Sequence, residues 1–253
     1  MVLAAALEVF TQDGGAFFSR WLHVVAGITW IGLLYYFNFV QVPAFASFEA
    51  STRSEAIDKL ASRALWWFRW SALATFLMGI LILYFQPFGD GRQLFEMDYL
   101  KTPSGVSIVT GAVMGTIMML NVWGVIWPKQ KIVIANARNV LAGGEANPAA
   151  ADANRTALMA SRQNTIFSLA MLMFMVGTSH FFGGYDTSAG GDRAIYWVAM
   201  IVVVGFLELN CLGVFGRKPG GLNWIYDDHR NTITTAIVLL LVSYGFWEIL
   251  FRV

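Results

Sequence analysis

The sequence predicts an all-α polytopic membrane protein: a transmembrane helix bundle of about six spans in one domain, 1–253, with both termini outside. Three observations predict it. Of 253 residues, 57% are hydrophobic and 13% charged, against about 25% charged in an average soluble domain. The mean hydropathy is +0.57. The apolar residues also gather into stretches of roughly 20, the length a helix needs to cross hydrocarbon with its backbone groups bonded internally. This composition excludes a disordered chain, a collagen-like fibre and an ordinary soluble enzyme. A net charge of +1 leaves no basic surface for nucleic acid. The single cysteine, Cys211, excludes a disulfide scaffold, a CxxC metal site and a CxxCH haem attachment.

The candidate spans are 18–40, 65–85, 105–127, 165–182, 194–215 and 232–251. The fourth is short and is expected to extend back through Arg162. Residues 2–10 (VLAAALEVF) lack a basic region before them and a cleavage signal after them, so a short interfacial helix is expected rather than a signal peptide. Basic residues favour the cytoplasmic side when they stand in short loops. Arg53, Lys59 and Arg63 follow the first span, Lys129, Lys131, Arg138, Arg155 and Arg162 the third, and Arg217, Lys218 and Arg230 the fifth. These connections are therefore expected inside. Phe48, Ala56, Leu60 and Ala64 are spaced for one face of a cytoplasmic amphipathic helix over 47–64. The segment 143–154 (GGEANPAAADAN) is expected to be a flexible tip.

Ionisable groups inside a span are costly, so each is a functional candidate. His23 lies in the outer part of the first span and His180 near the outer end of the fourth. Two imidazoles at matching depth on two helices suit a b-type haem; the alternative is that each bonds a backbone carbonyl. His229, in Tyr226-Asp227-Asp228-His229-Arg230, sits where Asp residues cap a helix start. Toward the cytoplasmic half stand Asn38, Arg69, Asn121, Glu208 and Asn210. Arg69 and Glu208 are the opposite charges placed to meet there, either as a structural pair or in a pocket for a small planar or anionic ligand, with Arg69, Asn121 and Glu208 as substrate-binding candidates. Glu248 and Arg252 suit an i,i+4 pair. Trp66, Trp67 and Trp70 read as an interfacial belt with Trp197 at the other interface. Gly111 and Gly115 form a GxxxG for close helix contact, and Met171, Met173 and Met175 read as core filler.

The string from Arg20 to Gly32 (RWLHVVAGITWIG) resembles the first span of the membrane-bound bacterial urate hydroxylases, the urate oxidase N-terminal domain family. Trp67-Phe68-Arg69-Trp70 resembles that family's WFKW. The run from Gly111 to Met118 with Asn121-Val122, then Ile126-Trp127-Pro128-Lys129-Gln130, is similar to its third span, and the segment ending Ser179-His180 to its fourth. The opening H-x6-W-x-G pattern also resembles bacterial membrane protoporphyrinogen oxidases. The first resemblance implies an oxidoreductase of the bacterial inner membrane with haem b on His23 and His180. It would oxidise urate or another small molecule and pass electrons to a cytochrome c. The family commonly carries a cytochrome c domain after the membrane part; without one here, the carrier is expected to be a separate protein. Where the family has a histidine before the third-span GA and an HNNY-like string at the fourth, this sequence has Val109-Thr110 and Asn164-Thr165-Ile166-Phe167, so only His23 and His180 carry over. A non-catalytic accessory subunit of a larger respiratory or photosynthetic complex is the alternative. A small-molecule transporter is a third.

Overall fold

A computed structural model describes residues 10–85, 101–182 and 193–251. Among them there is helix and no strand. The helices are α1 (Gln12–Ser47), α2 (Ala50–Phe85), α3 (Pro103–Leu141), α4 (Ala149–His180), α5 (Arg193–Cys211) and α6 (His229–Phe251), with a 3-10 turn, Gly221–Tyr226, before α6. Helix starts follow local chemistry. The Thr11 hydroxyl accepts the Gly14 N–H at 3.1 Å, and Thr102 accepts that of Gly105 at 3.0 Å ahead of Pro103, which has no N–H to leave orphaned.

Five of these helices, α1, α2, α3, α5 and α6, are long and apolar enough to cross a membrane. The sixth expected span, 165–182, is the second half of α4 and does not meet that measure. The physical reason is its position. α4 lies against α1, α3, α5 and α6, and every residue from Arg162 to Ser168 is buried. A helix that faces protein on most sides can carry Arg162, Gln163, Asn164 and Thr165 in its middle, because neighbouring helices supply the hydrogen-bond partners that lipid cannot. Polar residues at the bundle centre lower its hydropathy without moving it to the surface.

α3 and α4 pack closely. A Cβ on Gly111 would stand 2.9 Å from the Met175 Cγ and 3.2 Å from the Met171 carbonyl oxygen, so this glycine is what allows the approach. Gly115 would make ordinary contact with the same methionines at 3.9 Å. The expected GxxxG contact is therefore carried by its first glycine. Ser107 Oγ donates to the Phe174 carbonyl at 2.7 Å and Ser104 Oγ to that of Thr178 at 3.1 Å. Gly111→Val is expected to force the two helices apart and destabilise the fold by about 1–3 kcal/mol, the usual cost of overpacking. Gly115→Ala should leave thermal unfolding in detergent nearly unchanged, and equal shifts for the two variants would contradict the close approach at Gly111.

Three helices pass through a wider π turn: Tyr36–Gln41, Ile57–Ala61 and Asn121–Ile126. The first and third lie just before Pro43 and Pro128. Proline has no N–H for the carbonyl four residues back, and the ladder widens where that bond is lost. The second turn corrects the amphipathic face expected over 47–64. α2 runs from Ala50 into the membrane, and the π turn shifts its phase by one residue. Ala61 is buried while Leu60 is 51% exposed. The tip expected over 143–154 is also shorter, since α4 begins at Ala149. The interfacial helix expected over 2–10 falls almost wholly outside the described residues, as does Arg252 of the expected pair; Glu248 accepts a hydrogen bond from the Tyr244 hydroxyl.

Candidate functional site

His23 occupies the α1 stripe that includes Ser19, Trp30 and Leu34, all buried. Its Nδ1 lies 2.8 Å from the Thr75 carbonyl oxygen of α2. A carbonyl only accepts, so Nδ1 carries the proton, and in the neutral ring the free lone pair belongs to Nε2. Gly79 makes room for the ring: a Cβ there would stand 3.3 Å from His23 Cε1. His180 closes α4, is exposed, and has no hydrogen-bond or ion-pair partner among the described residues.

The relative height of the two imidazoles follows from a bond between their helices. Tyr35 Oη and Ser168 Oγ are 2.8 Å apart. Asn38 Nδ2 donates to Ser161 Oγ at 2.8 Å, so moving forward along α1 means moving back along α4, and the helices are antiparallel. His23 lies twelve residues before Tyr35 and His180 twelve residues after Ser168. At 1.5 Å per residue the first bond places each about 18 Å away, and the second places His23 about 22 Å and His180 about 28 Å away, so both stand toward the same end of the bundle, within about 6 Å of one another in height. The feature that fits a haem is the ligand-competent Nε2 of His23, with a second, unengaged imidazole toward the same end of the bundle. Among the described residues no cluster of three or more His, Cys, Asp or Glu could hold a separate metal ion.

Asn121 and Glu208 are brought together. Asn121 Nδ2 donates to Glu208 Oε2 at 3.2 Å and to Asn164 Oδ1 at 3.1 Å, while Asn164 Nδ2 donates to the Met118 carbonyl at 2.9 Å. Asn121 opens a π turn, a geometry frequent at functional sites. Glu208 has no ion-pair partner among the described residues. Arg69 does not meet it: its guanidinium lies 3.8 Å from the centre of the Trp127 ring, and its carbonyl accepts the Trp123 indole N–H at 3.0 Å. Asn164, Ser161 and Ser168 were not among the sequence candidates. Their signal was a polar run in an otherwise apolar helix.

Nearer the other end, α4 holds the segment before α6. Arg162 Nη1 donates to the Tyr226 carbonyl at 2.5 Å, Arg155 Nη2 pairs with Asp227 Oδ1 at 2.7 Å, and the Tyr226 hydroxyl donates to Gln163 Oε1 at 2.6 Å. Burial pushes the Tyr226 phenol well above its ordinary pKa, so it remains a donor. Tyr226→Phe leaves Gln163 Oε1 without this donor and is expected to destabilise the fold by about 1–3 kcal/mol, measured by thermal unfolding; an unchanged midpoint would contradict it. Asp228 accepts the Arg230 N–H at 2.7 Å, which holds its carboxyl below the usual carboxylate range. That is the capping role expected of this motif, and His229 Nδ1 stands 3.6 Å from the same carboxylate.

A polytopic helical membrane protein with a polar seam along its central helix and two imidazoles toward one end is the class these features define. Residues 93–209 match the family model described as urate oxidase N-terminal. The match covers the whole of α3 and α4 and most of α5, and it is consistent with a divergent member of that family. It contains His180, Asn121 and Glu208, while His23 and Arg69 lie before it. No curated protein and no solved structure matches the chain.

Proposed function

We propose that this chain is a haem-binding redox protein of the urate hydroxylase type in a bacterial inner membrane. In this reading it oxidises urate or another small molecule and passes electrons to a separate periplasmic cytochrome c, with both termini on that side. The observation that carries the reading is the His23 ring: its Nδ1–H is committed to Thr75, and its Nε2 is left for a ligand bond toward the end of the bundle where His180 stands. When bound, haem b would supply one-electron chemistry. The protein's own contribution is to fix the His23 tautomer through the Thr75 carbonyl and to present His180 from α4. Asn121 holds the Glu208 carboxylate in one orientation, and that pair is our candidate for the polar edge of the substrate. The match over 93–209 supports the urate-type assignment.

The test is a reduced-minus-oxidised spectrum of the full chain in detergent, followed by addition of urate and oxidised cytochrome c. A b-type α band with urate-dependent reduction of the cytochrome is expected. A spectrum without the band would remove the redox reading, and a band without urate-dependent reduction would restrict it to another donor.

A further inference from the structure

The cytoplasmic-facing charges of α2 and α3 do more than set orientation. Arg63, Trp66 and Arg69 of α2 and Trp127, Lys131 and Arg138 of α3 line a groove of about 690 Å³. We propose that this groove binds the phosphate headgroup of an acidic phospholipid.

Four cations line it. Among the described residues the only carboxylate engaging them is Asp58, whose Oδ1 pairs with Arg138 Nε at 2.5 Å. Arg63 and Lys131 have no hydrogen bond or ion pair among the described residues. The Arg69 guanidinium stacks on Trp127 at 3.8 Å, an arrangement that orients the planar group and leaves its N–H edges to meet an anion. The Lys131 ammonium stands 6.0 Å from the same ring, so two cations are arranged about one indole. An anion bound among like charges offsets their mutual repulsion.

The surroundings select a lipid over a soluble phosphate. Trp66, on the groove wall, is exposed, as are Trp67 and Trp70 beside it. Exposed indoles at the end of an apolar span mark the headgroup level of a bilayer. The chains of a lipid seated in the groove would run along the exposed apolar face of α2, where Leu77, Ile80 and Leu81 stand. Basic pockets between transmembrane helices on the cytoplasmic side have this chemistry.

The experiment is a titration of the full chain, in neutral detergent containing phosphatidylcholine, with phosphatidylglycerol, read by native mass spectrometry and thermal unfolding. Saturable retention of phosphatidylglycerol with a raised midpoint is expected, and added phosphatidylcholine should give neither. Lys131→Gln and Arg63→Gln should each weaken retention roughly fivefold, at about one kcal/mol per basic residue. Lys218→Gln, outside the groove, should retain lipid as the parent does. Should one groove variant fail to fold, the other is read alone. Equal retention of the two lipids, or undiminished retention by the folded groove variants, would overturn the proposal. Inorganic phosphate or glycerol phosphate displacing the lipid at equal phosphate concentration would also overturn it, in favour of a soluble ligand.

Discussion

His23→Ala is expected to remove the α band from the purified protein altogether. The imidazole is fixed at Nδ1 by the Thr75 carbonyl, and no other nitrogen ligand stands on α1. His180→Ala should also lose or shift the band. Because His180 is exposed while His23 is partly buried, its removal should disturb the fold less, so any change in the spectrum reports ligation. Gly79→Val offers an indirect version of the same test. Its added carbons would press on the His23 ring, 3.3 Å from where the Cβ alone would stand, and are expected to weaken or displace the band without removing a ligand. Wild-type spectra from both histidine variants would separate the imidazoles from any cofactor.

The second large effect is expected at Trp247. This fully buried indole lies where α4, α5 and α6 meet, with ring centroids 4.5 Å from Phe182 and Phe251 and 5.7 Å from Phe174 and Tyr196. Tyr196 is itself tied to α3, its hydroxyl 2.9 Å from Thr110 Oγ1. Trp247→Ala would leave a cavity where three helices meet, and about 3–5 kcal/mol of destabilisation is expected. Trp247→Phe keeps part of the aromatic contact and should lose less. Thermal unfolding in detergent orders the two variants, and a milder effect for alanine than for phenylalanine would contradict the packing described.

The membrane class was legible because length and apolarity are local properties, and the GxxxG at Gly111 was legible because its consequence is local too. The position of α4 was not. Its polar run reads as a weak span when scanned alone, and it becomes a central helix only when α1, α3, α5 and α6 surround it. Arg69 and Glu208 illustrate the same limit. Opposite charges at similar depth predict a meeting, but rotation about each helix axis decides it. Arg69 turned to Trp127 and Glu208 to Asn121. The π turns were half visible, since Pro43 and Pro128 mark two of them, whereas Ile57–Ala61 has no such sign and its phase shift moved Leu60 to the surface. That His23 and His180 stand toward one end of the bundle follows from sequence only if the spans are drawn correctly; the Tyr35–Ser168 and Asn38–Ser161 bonds supply the antiparallel direction.

The most direct measurement is the haem content of the full chain, purified without added cofactor and assayed as the pyridine haemochrome against protein concentration. Haem b near one equivalent per chain is expected in the wild type and almost none in the His23→Ala, His180→Ala double variant. A folded, monodisperse wild-type protein with no haem, or a double variant that retains it in full, would contradict it.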